Sequence, residues 1–513
     1  MRSSLKRYFS LGFLVAACLT AGCNWSTSAM QTLRRTPTTS TGAPPSGPIV
    51  SVPGTGNGSG GPAEFPIPPA PETPAPETPV AEQPPAPPPT IPPPAATPPP
   101  PPPAAPAPLW SLEVGTASKD HGEAVAADAS GNVYVAGWTD GTWDAATSGG
   151  AIDGFLVKYD ADGNELWKRQ FGGAGQDFAL SLATDGQGDL YVAGQTTDAI
   201  DGEIFHGGGT DLFVRKYRPD GSLVWNKLLG TGDAEELTAL AHWKESLYLA
   251  GRAARDIALW RLNQTDGAFD PAFDFRDFDG SPALDRVRDL AADPDGDLYV
   301  SGETFGDFPK VLNGLAHQRL GLPESYANRG GTDGFVMHLN LDMGLIDTFT
   351  IGSPQDDAVY GLTAPATTGV FLAGATMSAD LSDPTNLLMA NGWNRFVMNF
   401  ARTGSRYASH WALQSGLRAP ETALRLRVDG HGDVWVLGSE GDVFTDAGLF
   451  VTKYEGATGT ALFDLPLGTP RFDAPAAIAL DAAGGAFVTG FTRRTAGDDD
   501  VFVIGIGANG DLL

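Results

Sequence analysis

From residue 109 onward, a strand-like phrase ending in glycine returns seven times, and a repeat of that kind constrains the fold before any single element is assigned. The copies are Val133–Gly137 (VYVAG), Leu190–Gly194 (LYVAG), Leu247–Gly251 (LYLAG), Leu298–Gly302 (LYVSG), Val370–Gly374 (VFLAG), Val434–Gly438 (VWVLG) and Ala486–Gly490 (AFVTG). Twenty-two residues before each closing glycine stands another: Gly115, Gly172, Gly280, Gly352, Gly416 and Gly468, with Gly230 one residue nearer in the third unit. Five residues before that glycine an aromatic recurs as Trp110, Trp167, Trp225, Phe275, Trp411 and Phe463, and Asp347 alone breaks the series.

Each unit supplies four strand signals: a small apolar segment such as Ala124–Ala127, the glycine-ending phrase, a run such as Phe155–Tyr159 or Phe213–Tyr217, and a segment opened by tryptophan. Asp and Gly occupy the joints, as in Asp160–Gly163 and Asp293–Gly296, where tight hairpins need them. No stretch of 109–513 has sustained helical periodicity. The spacing predicts an all-β fold, a seven-bladed β-propeller of four-stranded antiparallel blades. Aligning Ile506–Leu513 on Tyr159–Leu166 ends the chain just before the position of Trp167, while Leu109–Val114 begins with the matching Trp110. The N-terminal strand is therefore expected to be the outer strand of the last blade, closing the ring without an exposed edge.

These landmarks resemble the bacterial β-propeller repeat abbreviated SBBP, whose units read roughly W-x4-G-x4-D, GNVYVAG-x-T and DGFVxKYD-x-DG. Residues 110–166 and 167–224 match best; units three and five depart at His242–Ser246 and Ala364–Gly369, where the Asp-x-x-Gly turn is missing. The resemblance spans 109–513 and implies architecture without a single activity.

Upstream, Arg2, Lys6 and Arg7 precede an apolar run from Leu11 to Leu19, too short to span a bilayer, which reads as a signal peptide over residues 1–22. Leu19–Cys23 (LTAGC) resembles the lipobox of bacterial lipoproteins, which implies a cut before Cys23 and lipidation of its thiol. Cys18 lies in the removed segment, so no thiol is left for disulfide, metal or nucleophile. Asn24, where enteric inner-membrane lipoproteins carry Asp, points by that resemblance to the outer membrane: a lipid-anchored, extracytoplasmic protein. Residues 23–108 then form a Pro/Gly-rich tether. More than half of Pro66–Pro108 is proline, so polyproline II is the default conformer and the segment is a spacer without a core.

The net charge of -28 excludes nucleic acid as a favoured partner, because such a surface repels phosphate backbones. No GxSxG, P-loop, HExxH or dinucleotide fingerprint is present, so no catalytic residue is assigned and no cofactor is expected. The seven histidines show no zinc spacing. Two features remain as candidate sites. An acid follows every landmark glycine by five residues: Asp120, Asp177, Glu235, Asp285, Asp357, Glu421 and Asp473. At the start of each innermost strand these would encircle one mouth of the channel, either as a carboxylate ring for a cation such as Ca²⁺ or as turn-holding acceptors of backbone N–H groups. The second-to-third connections are longest in units four and five, Phe308–Arg329 (with Leu320, Leu322 and Tyr326) and Ala379–Trp393 (with Leu387, Leu388, Met389 and Trp393), and would form a recognition surface on that same face. The expectation is a monomeric binding or scaffold lipoprotein, taking a protein, small-molecule or glycan ligand. Its rivals are a propeller-type lyase or hydrolase working at the channel mouth near His121, and a purely structural envelope protein.

Overall fold

A computed structural model describes residues 111–512 except 144–149, 186–187, 255, 277–284, 306–330, 341–343, 366–368, 379–388, 404–405, 416–420, 442–447, 469–470 and 496. The expectations for residues 1–110, Cys23 and the tether included, lie outside the described residues, as does Trp110.

Among the described residues twenty-eight strands, β1 (Ser111–Val114) to β28 (Asp498–Ile506), form seven four-stranded antiparallel sheets. Six are sequential: β2–β5, β6–β9, β10–β13, β14–β17, β18–β21 and β22–β25. The seventh has the order β1, β28, β27 (Ala486–Thr495), β26 (Asp473–Leu480), so the first strand of the domain completes the last blade. Ser111 lies opposite Ile504 and Val114 opposite Val501. The innermost strands, β2 (Asp120–Ala127), β6 (Asp177–Thr184), β10 (Glu235–Trp243), β14 (Asp285–Ala292), β18 (Asp357–Thr363), β22 (Glu421–Val428) and β26 (Asp473–Leu480), each touch the next, and β26 returns to β2. The domain is thus a closed seven-bladed propeller, as the repeat predicts.

The repeated phrase owes its closing glycine to a device that recurs in every blade. Each innermost strand carries a β-bulge at its third-to-fourth residue: Glu123, Leu180, Thr238, Arg288, Tyr360, Leu424 and Ala476 are extra residues with no partner on the second strand. A bulge bends its strand and re-aims the local backbone. Here the carbonyl two residues before the bulge lies over the closing glycine, so that a Cβ on Gly137 would sit 1.8 Å from the His121 oxygen and one on Gly194 1.9 Å from that of Phe178. The same position is closed in the other five blades, at 1.9 to 2.3 Å. In six blades a third-strand phenylalanine (Phe155, Phe213, Phe335, Phe396, Phe450 or Phe502) covers the glycine from the other side. Apolar clusters then fill the seams between neighbouring sheets, as where Phe155 and Val157 meet Phe487 and Val503.

Outer seams use the repeated tryptophan. Trp167, Trp225 and Trp411 each donate the indole N–H to a carbonyl in the next blade's third-to-fourth hairpin, at Pro219 (3.0 Å), Gln264 (3.3 Å) and Gly456 (2.9 Å). Each ring lies flat against a hairpin glycine in the left-handed region, as Trp167 does on Gly221 (φ 80°), where a side chain would both strain the turn and strike the indole. The Asp-Gly joints are hairpins: the Asp160 carboxylate accepts the backbone N–H groups of Asp162 (3.0 Å) and Asn164 (2.8 Å). Where unit three lacks that joint, β10 and β11 (Ser246–Ala253) are linked by Lys244-Glu245, with Lys244 at φ 51°.

Candidate functional site in the central channel

All seven ring acids open an innermost strand. Asp120, Asp177, Glu235, Asp285, Asp357 and Asp473 are buried and Glu421 is half-buried. Their bonds run back into the preceding turn. Asp120 accepts the Thr116 N–H (2.5 Å), Asp177 that of Gly173 (2.8 Å) and Asp357 that of Ser353 (2.7 Å), while Glu235 accepts the Thr231 hydroxyl (2.5 Å). Trp143 adds its indole N–H to Asp120 (2.7 Å). These are the bonds of the turn-holding arrangement. Burial pushes the carboxyls of Asp177 and Asp357 up to about 6, helped at Asp177 by the charge of Asp153 and at Asp357 by that of Asp356.

His121 is buried rather than open to the channel mouth. It stacks on Phe491 (3.7 Å between centroids) with the tilted Trp138 ring at 4.0 Å, and its Nε2 lies 3.2 Å from Asp499. Arg493 donates to the other oxygen of Asp499 (2.8 Å); against burial, these two partners hold the Asp499 carboxyl below its ordinary value. His206, His242 and His338 pair separately with Asp211, Gln264 and Asp297, each in a different blade, and His317 lies outside the described residues. Among the described residues no cluster of three or more His, Cys, Asp or Glu is arranged to hold a metal ion.

The loop expectations need one correction. Leu320, Leu322, Tyr326, Leu387 and Leu388 lie outside the described residues, but Met389 and Trp393 belong to strand β20 (Met389–Thr403), where Met389 pairs with Ser378. A bridge from Ser378 to Met389 across a register shift brings the end of the unit-five connection into the sheet, with Trp393 between the paired positions.

A more asymmetric group sits at the bulges. The backbone device is sevenfold, yet the residues it carries are Glu123, Leu180, Thr238, Arg288, Tyr360, Leu424 and Ala476, all half-buried. The landmark acid fixes them by offset, each three residues later, a signal present in the sequence but unread because a bulge leaves the small-apolar pattern of these strands intact. Around Arg288 the charges gather. Glu303 accepts from Arg288 (2.7 Å) and Arg286 (3.1 Å), whose two charges outweigh burial and keep its carboxyl below the usual range. Arg288 also lies over the Tyr360 ring (5.1 Å), and Arg286 over Phe305 (5.6 Å), directly before the long unit-four connection.

From β22, Arg427 reaches Asp289 of β14 at 3.9 Å. Those strands are separated by β18, so the pair passes over it on the channel side. Arg425 lies between: it donates to the carbonyls of Tyr360 (3.3 Å) and Leu424 (3.0 Å), and burial with the nearby charges of Arg427 and Arg288 pulls its pKa down despite Asp289 and Glu123. Opposite, Glu123 accepts the Trp138 indole N–H (2.9 Å), and burial pushes its carboxyl up. The Tyr360 hydroxyl is raised to about 12, first by burial and then by Glu303.

Comparison with known proteins agrees with this architecture. The β-propeller repeat family abbreviated SBBP matches residues 109–142 and 166–200. Over 316 residues the chain is 25% identical to regulatory protein FlaEY of Caulobacter vibrioides, covering 53% of this chain and 32% of that protein, so it spans about a third of the relative's length. Among solved structures it is similar to polysaccharide lyase Uly1 (TM-score 0.45, 11% identity, 77% of this chain and 91% of that one) and to YCF48 bound to D1 peptide (TM-score 0.41, 10% identity, 78% and 98%).

Proposed function

We propose that this seven-bladed propeller of SBBP-type repeats is the recognition domain of an extracytoplasmic lipoprotein, anchored through Cys23 in the outer membrane and held away from it by residues 23–108. The ligand, a protein, glycan or small molecule, is taken on the face where the second-to-third connections lie, over the channel. One observation carries this reading: seven equivalent bulges present seven positions of equal geometry, and five different residue types in addition to two leucines occupy them. A scaffold element repeats its side chain from unit to unit, as the ring acids and the closing glycines do, whereas a site for an asymmetric ligand breaks the symmetry. Phe305 joins the charged end of this lining to Phe308–Arg329, making loop and channel continuous in sequence. A Ca²⁺ in the acidic ring is a lesser reading, since the carboxylates already accept bonds from the turns.

The enzymatic rival draws support from Glu123, whose carboxyl is held above its usual range near Trp138 and His121, a state suited to proton donation. The test is capture from envelope extracts by the full lipidated chain and by a chain lacking 308–329. The shortened chain is expected to hold the same partner at least about tenfold more weakly. Equal capture removes the loop-face reading, and consumption of the captured glycan or peptide by wild type, abolished in Glu123→Gln, replaces it with the enzyme. Loss of radiolabelled fatty acid on Cys23→Ala checks the anchor.

A further inference from the structure

We infer that the waist of the channel is a binding site for one oxyanion group, a sulfate or carboxylate, held by Arg425 with Arg288, Arg427 and the Tyr360 hydroxyl. The inference rests on the recognition reading above and names the chemistry of its ligand.

Arg425 is the centre of the argument. Its partners come from four blades: Tyr360 of β18 and Leu424 of its own strand supply carbonyls, and the charges that act on it belong to Arg288 and Asp289 of β14, Arg427 of its own strand and Glu123 of β2. Charges from β2 and β14 act on Arg425 of β22 across the channel, because no two of those strands are neighbours. Among the described residues no carboxylate lies within ion-pair distance of Arg425. A half-buried guanidinium without a counter-charge is costly, and its neighbours Arg288 and Arg427 add repulsion.

The surrounding carboxylates are committed elsewhere. Glu303 is shared by Arg286 and Arg288. Asp289 accepts the backbone N–H groups of Leu290 (2.9 Å) and Leu362 (3.0 Å), leaving Arg427 only a long contact. Glu123 faces the Trp138 indole. Two donors nearby are left over, on residues tied together by contact: Arg288 lies over the Tyr360 ring, and the Tyr360 carbonyl accepts from Arg425. Nε of Arg288 is buried without a partner, and the Tyr360 hydroxyl makes no hydrogen bond to any described residue. A chain of net charge -28 has thus gathered three half-buried arginines and a tyrosine from β14, β18 and β22. Planar guanidinium forks match the paired oxygens of a carboxylate or sulfate, and a neutral phenol adds a donor without adding repulsion.

The full chain is titrated by calorimetry with inorganic sulfate and with D-galacturonate at constant ionic strength, beside Arg425→Met and Tyr360→Phe. Wild type is expected to bind both probes, Arg425→Met to bind at least about tenfold more weakly, and Tyr360→Phe about three- to tenfold more weakly. Without added anion, Arg425→Met is expected to melt at the wild-type temperature or above it, since an apolar side chain replaces an unpaired cation. Sulfate stabilises any fold by exclusion, so only the difference between variant and wild type at equal sulfate is read. Tighter binding of galacturonate than of sulfate assigns the site to the acidic end of a glycan, and the reverse order to a free anion. Equal titration of all three chains overturns the site. If Arg425→Met does not fold, the Tyr360→Phe titration decides alone. Should the site fail while the chain lacking 308–329 still loses its partner, recognition stands and only the oxyanion falls.

Discussion

The seams between blades and the lining of the channel are built on one repeating backbone, but they use it in opposite ways. At the seams the chemistry recurs: glycine under the bulge carbonyl in all seven blades, phenylalanine over that glycine in six, and tryptophan on the next hairpin at Trp167, Trp225 and Trp411. In the channel the bulge keeps its geometry and changes its residue, from Glu123 through Leu180 and Thr238 to Arg288 and Tyr360. The difference separates two sources of constraint within one fold. Repeated contacts are demanded by closure of the ring; varied ones must answer to something that is not sevenfold.

The contrast can be broken most severely at the seam. Gly194→Ala puts a methyl group 1.9 Å from the Phe178 carbonyl oxygen, a backbone atom that cannot step aside, and is expected to cost more than about 3 kcal/mol in urea unfolding. A loss under about 1 kcal/mol would show that the bulge is not what fixes the glycine. Trp225→Ala, which opens one outer seam and frees the Gln264 carbonyl, is expected to cost about 2 kcal/mol, because its indole is only half-buried.

Next in size is the pH response of the buried turn acids. The folded-state pKa of Asp177 is raised to about 6 from an ordinary 3.8, so its contribution is present in full below pH 4 and is lost as pH rises through 6. Asp177→Asn should flatten that part of the stability profile and raise stability at pH 8 by about 1 to 3 kcal/mol, provided the amide keeps the Gly173 bond. An unchanged profile from pH 4 to 8 would move the effect elsewhere. Arg427→Ala in the channel should change stability by less than about 1 kcal/mol, since its contact with Asp289 is long and half-exposed. A larger loss would make the channel charges part of the scaffold and erase the contrast drawn above.

Legibility in the sequence followed the same divide. The sevenfold phrase, the Asp-Gly joints and the tryptophan series specify blade number and strand order because ring closure repeats them. The position of the ring acids was equally open to reading, since each begins a strand at a fixed offset from a glycine. The bulges were hidden: one additional residue in Ala-, Leu- and Val-rich strands alters pairing without altering hydrophobic alternation enough to be seen. Arg425 was hidden for a second reason, as its neighbours Arg288 and Glu123 are more than a hundred residues away and meet it only when the ring is closed. Trp393 failed differently, because apolar residues extending a strand look the same as apolar residues in a loop.

The clasp formed by β1 has a mechanical meaning. Any pull transmitted through the residues preceding Ser111 is borne first by the four residue pairs that join β1 to β28. That short ladder is the weakest link in series with the load, so tension would unfasten the last blade while the other six sheets, each continuous in sequence, stay intact. The propeller would answer force as a ring with a single releasable buckle.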